Sequence, residues 1–421
     1  DFDREFSSFI FDIEMGVIEV DLSEAKERAK NGSLSLDQIP LEFRADQEVV
    51  LNALSCSPGK YSGRNPLFYA SDDLRSKPDF ILKAAKENHL TLGWASRDIR
   101  NNKAVVVEIV REWGWALEWA SEELRAEREV VLEAVRQTGC ALMFASEELR
   151  SDSAIVLEAL KDTYLDGRDG SALKYASASI LEDREFILTA VKLNGQNLQY
   201  AAKALKADRE LVREAVKVNG KALAYASYEL KADKDTVISA LKNDGTALQF
   251  ASRELQSDWE VVREAIEESG FAFEYASSEL RANRVLVLAA VKNFGYAFLY
   301  ATSDLRADKE FVRQVVRYRG EALMYASKEL RSDRELVIEA LSNNGLALRY
   351  ADITLQSDGI LMAIAGFSIS YEQLSLSAYN EFDQQTYDEL LYTSVSAEMG
   401  ATSPDIRDEY VRRRVDQFQP E

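Results

Sequence analysis

The residues able to do chemistry are few. The chain of 421 residues has one histidine, His89, and two cysteines, Cys56 and Cys140. Histidine supplies most general bases and many metal ligands. A Ser-His-Asp triad would have to be built on His89, and an ordinary zinc site cannot be assembled. The phosphate loop G-x-x-x-x-G-K-[ST], the turn G-x-G-x-x-G, the helix H-E-x-x-H and paired C-x-x-C motifs are all missing. Carboxylates are abundant enough for a glycosidase-like pair. Most, however, fall at helix N-cap positions (Asp152, Asp208, Asp233, Asp308, Asp333) or on polar helix faces (Glu133, Glu158, Glu214, Glu264). The loop LDGRDG, residues 165–170, faintly resembles a calcium loop but lacks its spacing and terminal Glu. We therefore expect no enzyme, no metal and no cofactor.

What recurs instead is an aromatic ring followed by alanine. The rings are Tyr69, Trp94, Trp119, Phe144, Tyr175, Tyr200, Tyr225, Phe250, Tyr275, Tyr300, Tyr325 and Tyr350. Ten of the eleven gaps between the alanines are 25 residues; the other is 31, with its insertion in KDTYLDGRDG. A weaker thirteenth unit, IPLEFRADQEVVLNAL, precedes them, with an insertion around SPGKYSGRN. A fixed period of this kind marks a repeat architecture.

The elements that must carry the rings read as two short helices per unit. In DRELVREAVKVNG, Asp208 is the expected N-cap, and Leu211, Val212, Ala215 and Val216 form one apolar stripe. Gly220 is expected to stop the helix in the left-handed C′ conformation. Arg64 and His89 replace that glycine in the first two full units, so His89 reads as a substituted helix end. The second helix, KALAYASYELK, places Ala222, Leu223, Ala226 and Leu230 on one face; whether Ser227 lies inside it or caps a further turn is left open. Nine of twelve units then carry Arg or Lys, such as Arg125 and Arg306, expected to offset the helix dipole and reach the next unit's N-terminal acid. A 25-residue helix pair cannot bury its stripe alone, so copies must stack around a shared core. The expected fold is all-α: a solenoid of about twelve to thirteen such repeats.

The unit D-R-E-x-V-x-x-A-V-x-x-N-G-x-A-L-x-Y-A-S-x-E-L-R resembles a helical repeat family catalogued as domain of unknown function number 4116, over roughly residues 40–356. The resemblance implies the repeat fold and brings no activity, catalytic residue or cofactor.

The ring ladder has two readings, a groove of stacking rings or a spine between layers. Its strict recurrence favours the spine. Positions that vary are better recognition candidates. Trp113, Trp115, Phe271, Phe294 and Tyr296 stand at turns where sibling units carry small polar residues. They are either exposed anchors for a protein partner or covered internally.

Net charge is −21, which disfavours nucleic acid and anionic membranes and favours partners with basic surfaces. No apolar run is long enough to insert in a membrane. The acidic ends, 1–36 at −5 and 357–421 at −8, flank the repeats of 37–356 as divergent helical caps. At one end Asp21, Glu24 and Gly32 frame a helix; at the other Ser403 and Pro404 start one. Two cysteines suit a reducing, intracellular compartment, most simply the cytoplasm. The chain begins without Met, which we read as a processed or truncated start, leaving an organelle lumen open. The expected function is a non-enzymatic protein-interaction scaffold. The alternative is a structural subunit of a larger assembly, contacting it through the terminal segments.

Overall fold

The computed structural model describes residues 20–56, 65–88, 90–161, 172–366, 378, 388, 391 and 406–417. His89, the loop 165–170, the insertion 57–64, Ser403 and Pro404 lie outside them. Among the described residues there is no strand, and neither cysteine is in a disulfide.

Each regular unit has three segments, where the sequence suggested two helices. Around Ala226 these are a long helix Arg209–Val218, a 3-10 helix Gly220–Tyr225 and a short helix Tyr228–Lys231. The long helix is as expected: Asp208 Oδ1 accepts from the Leu211 N–H at 2.9 Å, and Leu211, Val212, Ala215 and Val216 are fully buried. The second helix is broken. Ala226 is extended (φ −63°, ψ 158°), and Ser227 caps the short helix by accepting from Leu230 N–H at 3.4 Å. The same cap recurs at Ser71, Ser96, Ser121, Ser146, Ser277 and Ser327. A serine hydroxyl competes for backbone N–H groups and so favours a helix start over a helix interior. Ala222, Leu223, Ala226 and Leu230 are buried all the same.

The glycine expectation fails for a definite reason. Positive φ occurs at Gly32 and Gly366 among the described glycines, not at the repeat position. Gly220 instead opens the 3-10 helix, where the next layer's backbone comes too close for a side chain. A Cβ there would lie 2.4 Å from Ala240 O. Gly32 does end the first described helix, Leu22–Lys30, which Asp21 caps as expected.

The contacts divide the chain into two compact units, 1–193 with 199–205, and 194–198 with 206–421. In the first, helix Arg128–Gln137 packs between Lys103–Glu112 and Ser153–Ala159. In the second, Lys309–Tyr318 packs on Arg334–Asn343, and the 3-10 helices pack on one another. Within each unit the same stitches join neighbouring layers. The residue after each ring–Ala step donates its backbone N–H to the preceding layer, as in Ser121 to Arg100 O (3.0 Å) and Ser252 to Lys231 O (2.8 Å). The first residue of a long helix pairs with the next N-cap acid: Arg128 with Asp152 at 3.4 Å, Lys234 with Asp258 at 2.9 Å, and Arg284 with Asp308.

The basic residue that was expected to make this interlayer pair does something else. It folds back over its own unit: Lys231 Nζ donates to Ala224 O at 2.6 Å, as the neutral Gln256 at the same position does through Nε2 to Leu248 O at 3.1 Å. Arg125 pairs with Glu122 in its own short helix. A side chain leaving the last turn of a four-residue helix lies beside the 3-10 carbonyls, which need donors.

At the C-terminal end the helix Ile406–Asp416 buries Tyr410, Val411 and Val415 against Ile360 and Ala378, with Ala363, Ile364 and Leu391 packed alongside. Arg414, nearly buried, donates to Asp388 Oδ2 at 3.0 Å.

Candidate functional site

The twelve ladder rings are all half-buried. Beneath them the core is made by residues such as Ala222 and Leu223, fully buried. Trp94, Trp119 and Tyr300 each meet the residue two places before the preceding layer's alanine. Trp94 meets Phe68 edge-on at 5.1 Å, and a Cβ on Gly93 would sit 2.8 Å from the Trp119 ring. The Tyr300 hydroxyl donates to Glu274, and its acidity is weakened by burial first and by that carboxylate next. The ladder thus seals the edge of the core.

On this ladder stands a second set of rings. In the second compact unit, Phe271 lies 3.8 Å from Phe294 between ring centroids, Phe294 lies 5.1 Å from Tyr296, and Tyr296 meets the ladder ring Tyr325 at 5.9 Å. The structure thereby brings together three of the five candidate residues. Phe271 is 49% exposed and Tyr296 46%, so neither is covered by the rest of its unit. Phe294 is half-buried, because Gly270 leaves room for it: a Cβ on Gly270 would sit 2.5 Å from Phe294 Cβ. Tyr325 has its pKa raised, by burial and by the neighbouring phenols Tyr296, Tyr350 and Tyr300. Leu299 and Tyr318, both exposed, lie in the same layer and the next; sequence reasoning passed over them. Both could have been found by asking where sibling units carry shorter or polar side chains, as Ala224 and Val218 do. Phe273 and Phe298, which lie in the same two layers, are core residues with no exposure.

Trp113 and Trp115 belong to the first compact unit. Trp115 is exposed and meets the ladder ring Phe144 at 5.9 Å, and Trp113 is half-buried at the end of helix Lys103–Glu112.

Many of the carboxylates are engaged in structure, Asp308 and Glu133 among them. Asp308 is held below the usual carboxylate range by the Phe311 N–H and by Arg284. Glu133 is held down by Arg111 and Arg136, from its own and the preceding long helix. Among the described residues no group of three or more His, Cys, Asp or Glu could hold a metal ion, and no helix is long and apolar enough to cross a membrane. A cavity of about 270 Å³ near the N-terminal end is lined by Leu36, Asp37, Cys56 and Tyr69 among others, with one carboxylate in it.

The helical layers and their stitches define a class: an all-α protein of tandem repeats. The family described as "Domain of unknown function (DUF4116)" matches residues 77–125, 127–181, 167–206, 183–231, 208–256, 233–281, 258–306, 283–330 and 308–356. The chain belongs to that family, and most of these matches span two neighbouring 25-residue units. The stretch 40–76, which the sequence pattern places in the same repeat, lies outside them. No curated protein matches the chain.

Proposed function

We propose that this chain is a non-enzymatic protein-interaction scaffold. Its 25-residue layers stack as a solenoid within each compact unit, and a partner protein seats on the rings Phe271, Phe294 and Tyr296. The observation that carries this is a run of rings in contact, Phe271 and Tyr296 exposed and Phe294 half-buried between them, at positions where sibling layers fold with Lys221 and Thr246 or, for Phe294, with Asn219 and Asp244. Large exposed aromatics that the fold does not require are the usual anchors of an interface. Trp115 is a second, separate anchor. The net charge of −21 favours encounter with basic protein surfaces and disfavours nucleic acid. Two cysteines outside any disulfide support a reducing, intracellular compartment. The competing idea, contact through the terminal segments, has no comparable exposed ring among the described residues: Tyr410 of the C-terminal helix is buried against Ile360 and Ala378 of its own segment.

The test is affinity purification with wild type and with Phe271→Ala/Tyr296→Ala, followed by mass identification. Proteins recovered by wild type and lost by a variant with unchanged circular dichroism support the reading. Equal recovery by both rejects these anchors.

A further inference from the structure

We infer that the ring patch takes an arginine-bearing segment of its partner, with guanidinium planes laid on Phe271, Phe294 and Tyr296; this rests on the scaffold reading above. Rings in this chain already serve as seats for cations. Arg44 lies 5.9 Å over Tyr69, Arg263 5.6 Å over Trp259, Arg284 5.1 Å over Phe311 and Lys292 4.5 Å over Tyr318. Among the described residues no cation lies over Phe271, Phe294 or Tyr296. Two neighbouring cations are occupied: Lys292 lies on Tyr318, and Arg319, which packs beside Gly295, donates its Nη2 to Lys292 O at 3.0 Å.

The local charge pattern points the same way. Several sibling long helices close on a basic residue, Lys217, Lys292 or Arg317, as the dipole favours, and others such as Arg334–Asn343 close on neutral ones. The helix that leads into Phe271, Trp259–Glu268, closes on Glu267 and Glu268 with no basic residue in its last turn. Glu267 is paired with Arg263, whereas Glu268 is an exposed carboxylate three residues before Phe271, at the end of a helix that disfavours it. Glu274 stands in the layer of Phe271, where it accepts from the Tyr300 hydroxyl, and Glu321 in the layer after that of Tyr296, where it accepts from Asn344 Nδ2 at 3.2 Å. A cation arriving from outside would offset all three, and these sit on a chain of net charge −21. Arginine fits better than lysine because its planar, weakly hydrated head stacks on rings.

The test is fluorescence anisotropy at about 0.15 M salt with four labelled probes: (Arg-Gly-Gly)4, (Lys-Gly-Gly)4, the citrulline analogue, and a neutral proline-rich peptide. Wild type is expected to bind the arginine peptide most tightly. Phe271→Ala/Tyr296→Ala, folded by circular dichroism, is expected to lose about fivefold or more. Glu268→Gln is expected to weaken binding and flatten its salt dependence. Equal arginine binding by wild type and the ring variant would mean general attraction to an acidic protein and would overturn the inference. Ring-dependent binding of the proline-rich or citrulline peptide in preference to arginine would also overturn it, while leaving the scaffold reading intact.

Discussion

Consider alanine at Gly220. Its φ is negative, so on backbone grounds the substitution should help: fewer unfolded conformations are worth about 0.4–1 kcal/mol. The obstacle is the next layer, since the new Cβ would lie 2.4 Å from Ala240 O. Carbon–oxygen contacts do not normally close below about 3.3 Å, so neighbouring layers must part by roughly 0.9 Å. A carbonyl held in helix Lys234–Leu241 cannot rotate away as a side-chain tip would. Forced expansion of a packed core costs about 1–3 kcal/mol, and the rigid obstacle places this case in the upper half. After the backbone gain, about 2 kcal/mol of net destabilisation remains. Gly295 provides the internal control. It has the same place in the repeat and no positive φ, but its nearest neighbours are Arg319 Cβ and Cγ at 3.4 Å. Gly295→Ala should therefore be neutral or gain up to about 0.5 kcal/mol. The assay is urea denaturation followed by far-ultraviolet circular dichroism, with hydrogen exchange across 209–245 locating the damage. A third variant separates the two explanations for glycine: asparagine tolerates left-handed backbone, so Gly366→Asn (φ 84°) should be mild and Gly220→Asn should not. The close-approach argument fails if Gly220→Ala unfolds with wild type, or if Gly220→Asn is as mild as Gly366→Asn.

Three further outcomes follow from the same geometry. Ala202 occupies the cap position that serine holds in most other layers, so Ala202→Ser should raise stability by about 0.5–1 kcal/mol and Ser227→Ala should lower it by about as much, both read by urea midpoint. Stability should fall as pH drops from about 4.5 toward 2: Asp308, held down by the Phe311 N–H and Arg284, and Glu409, held to about 2 by Arg412 and Arg413, bind protons less readily folded than unfolded. On the alkaline side Lys103, Lys234 and Lys309 have raised pKa values through carboxylates of the next layer, so their contribution is present below about 10.4 and lost above it; thermal melts across pH check both limbs. Phe294→Asn should change stability by less than about 1 kcal/mol, because a regained cap offsets a lost ring pair, yet it should weaken partner capture; a loss above 2 kcal/mol would mark Phe294 as core.

The period, the apolar stripe of Leu211 to Val216 and the caps at Asp208 and Asp21 were legible because each rests on local chemistry within one turn. The break at Ala226–Ser227 was not. A 3-10 turn and an α-turn bury the same faces, and Ala222, Leu223, Ala226 and Leu230 satisfy either. Nor was the role of Gly220, since a glycine needed for left-handed backbone and one needed for close approach look identical in sequence. Which acid each cation meets depended on where a four-residue helix aims its side chains. Within the candidate site, Phe271, Phe294 and Tyr296 were legible because they depart from a dozen aligned siblings. Their mutual stacking was not, because it needs the layer geometry.

That departure has a local cost, and it strengthens the case that the rings are there for something outside the fold. In several sibling layers of the second compact unit the residue before the repeat glycine caps the 3-10 helix: Asn219 accepts from Lys221 N–H at 3.0 Å, Asp244 from Thr246 N–H at 2.9 Å, and Asn344 from Leu346 N–H at 3.0 Å, whereas Ser269 and Arg319 make no such cap. Phe294 stands at this position and makes no side-chain cap. Two residues later Tyr296 replaces the small Thr246 of a sibling and leaves nearly half its surface in water. The layer surrenders a capping bond worth about 1 kcal/mol and exposes a ring, while the rest of its stitching is unchanged: Thr302 N–H still reaches Arg281 O, and Arg284 still meets Asp308. The array needs the stitches in every layer. A second row of rings confined to a few of them, Trp115 in the first compact unit and Phe271, Phe294 and Tyr296 in the second, is no part of that stitching, and it is the feature that we propose a partner contacts.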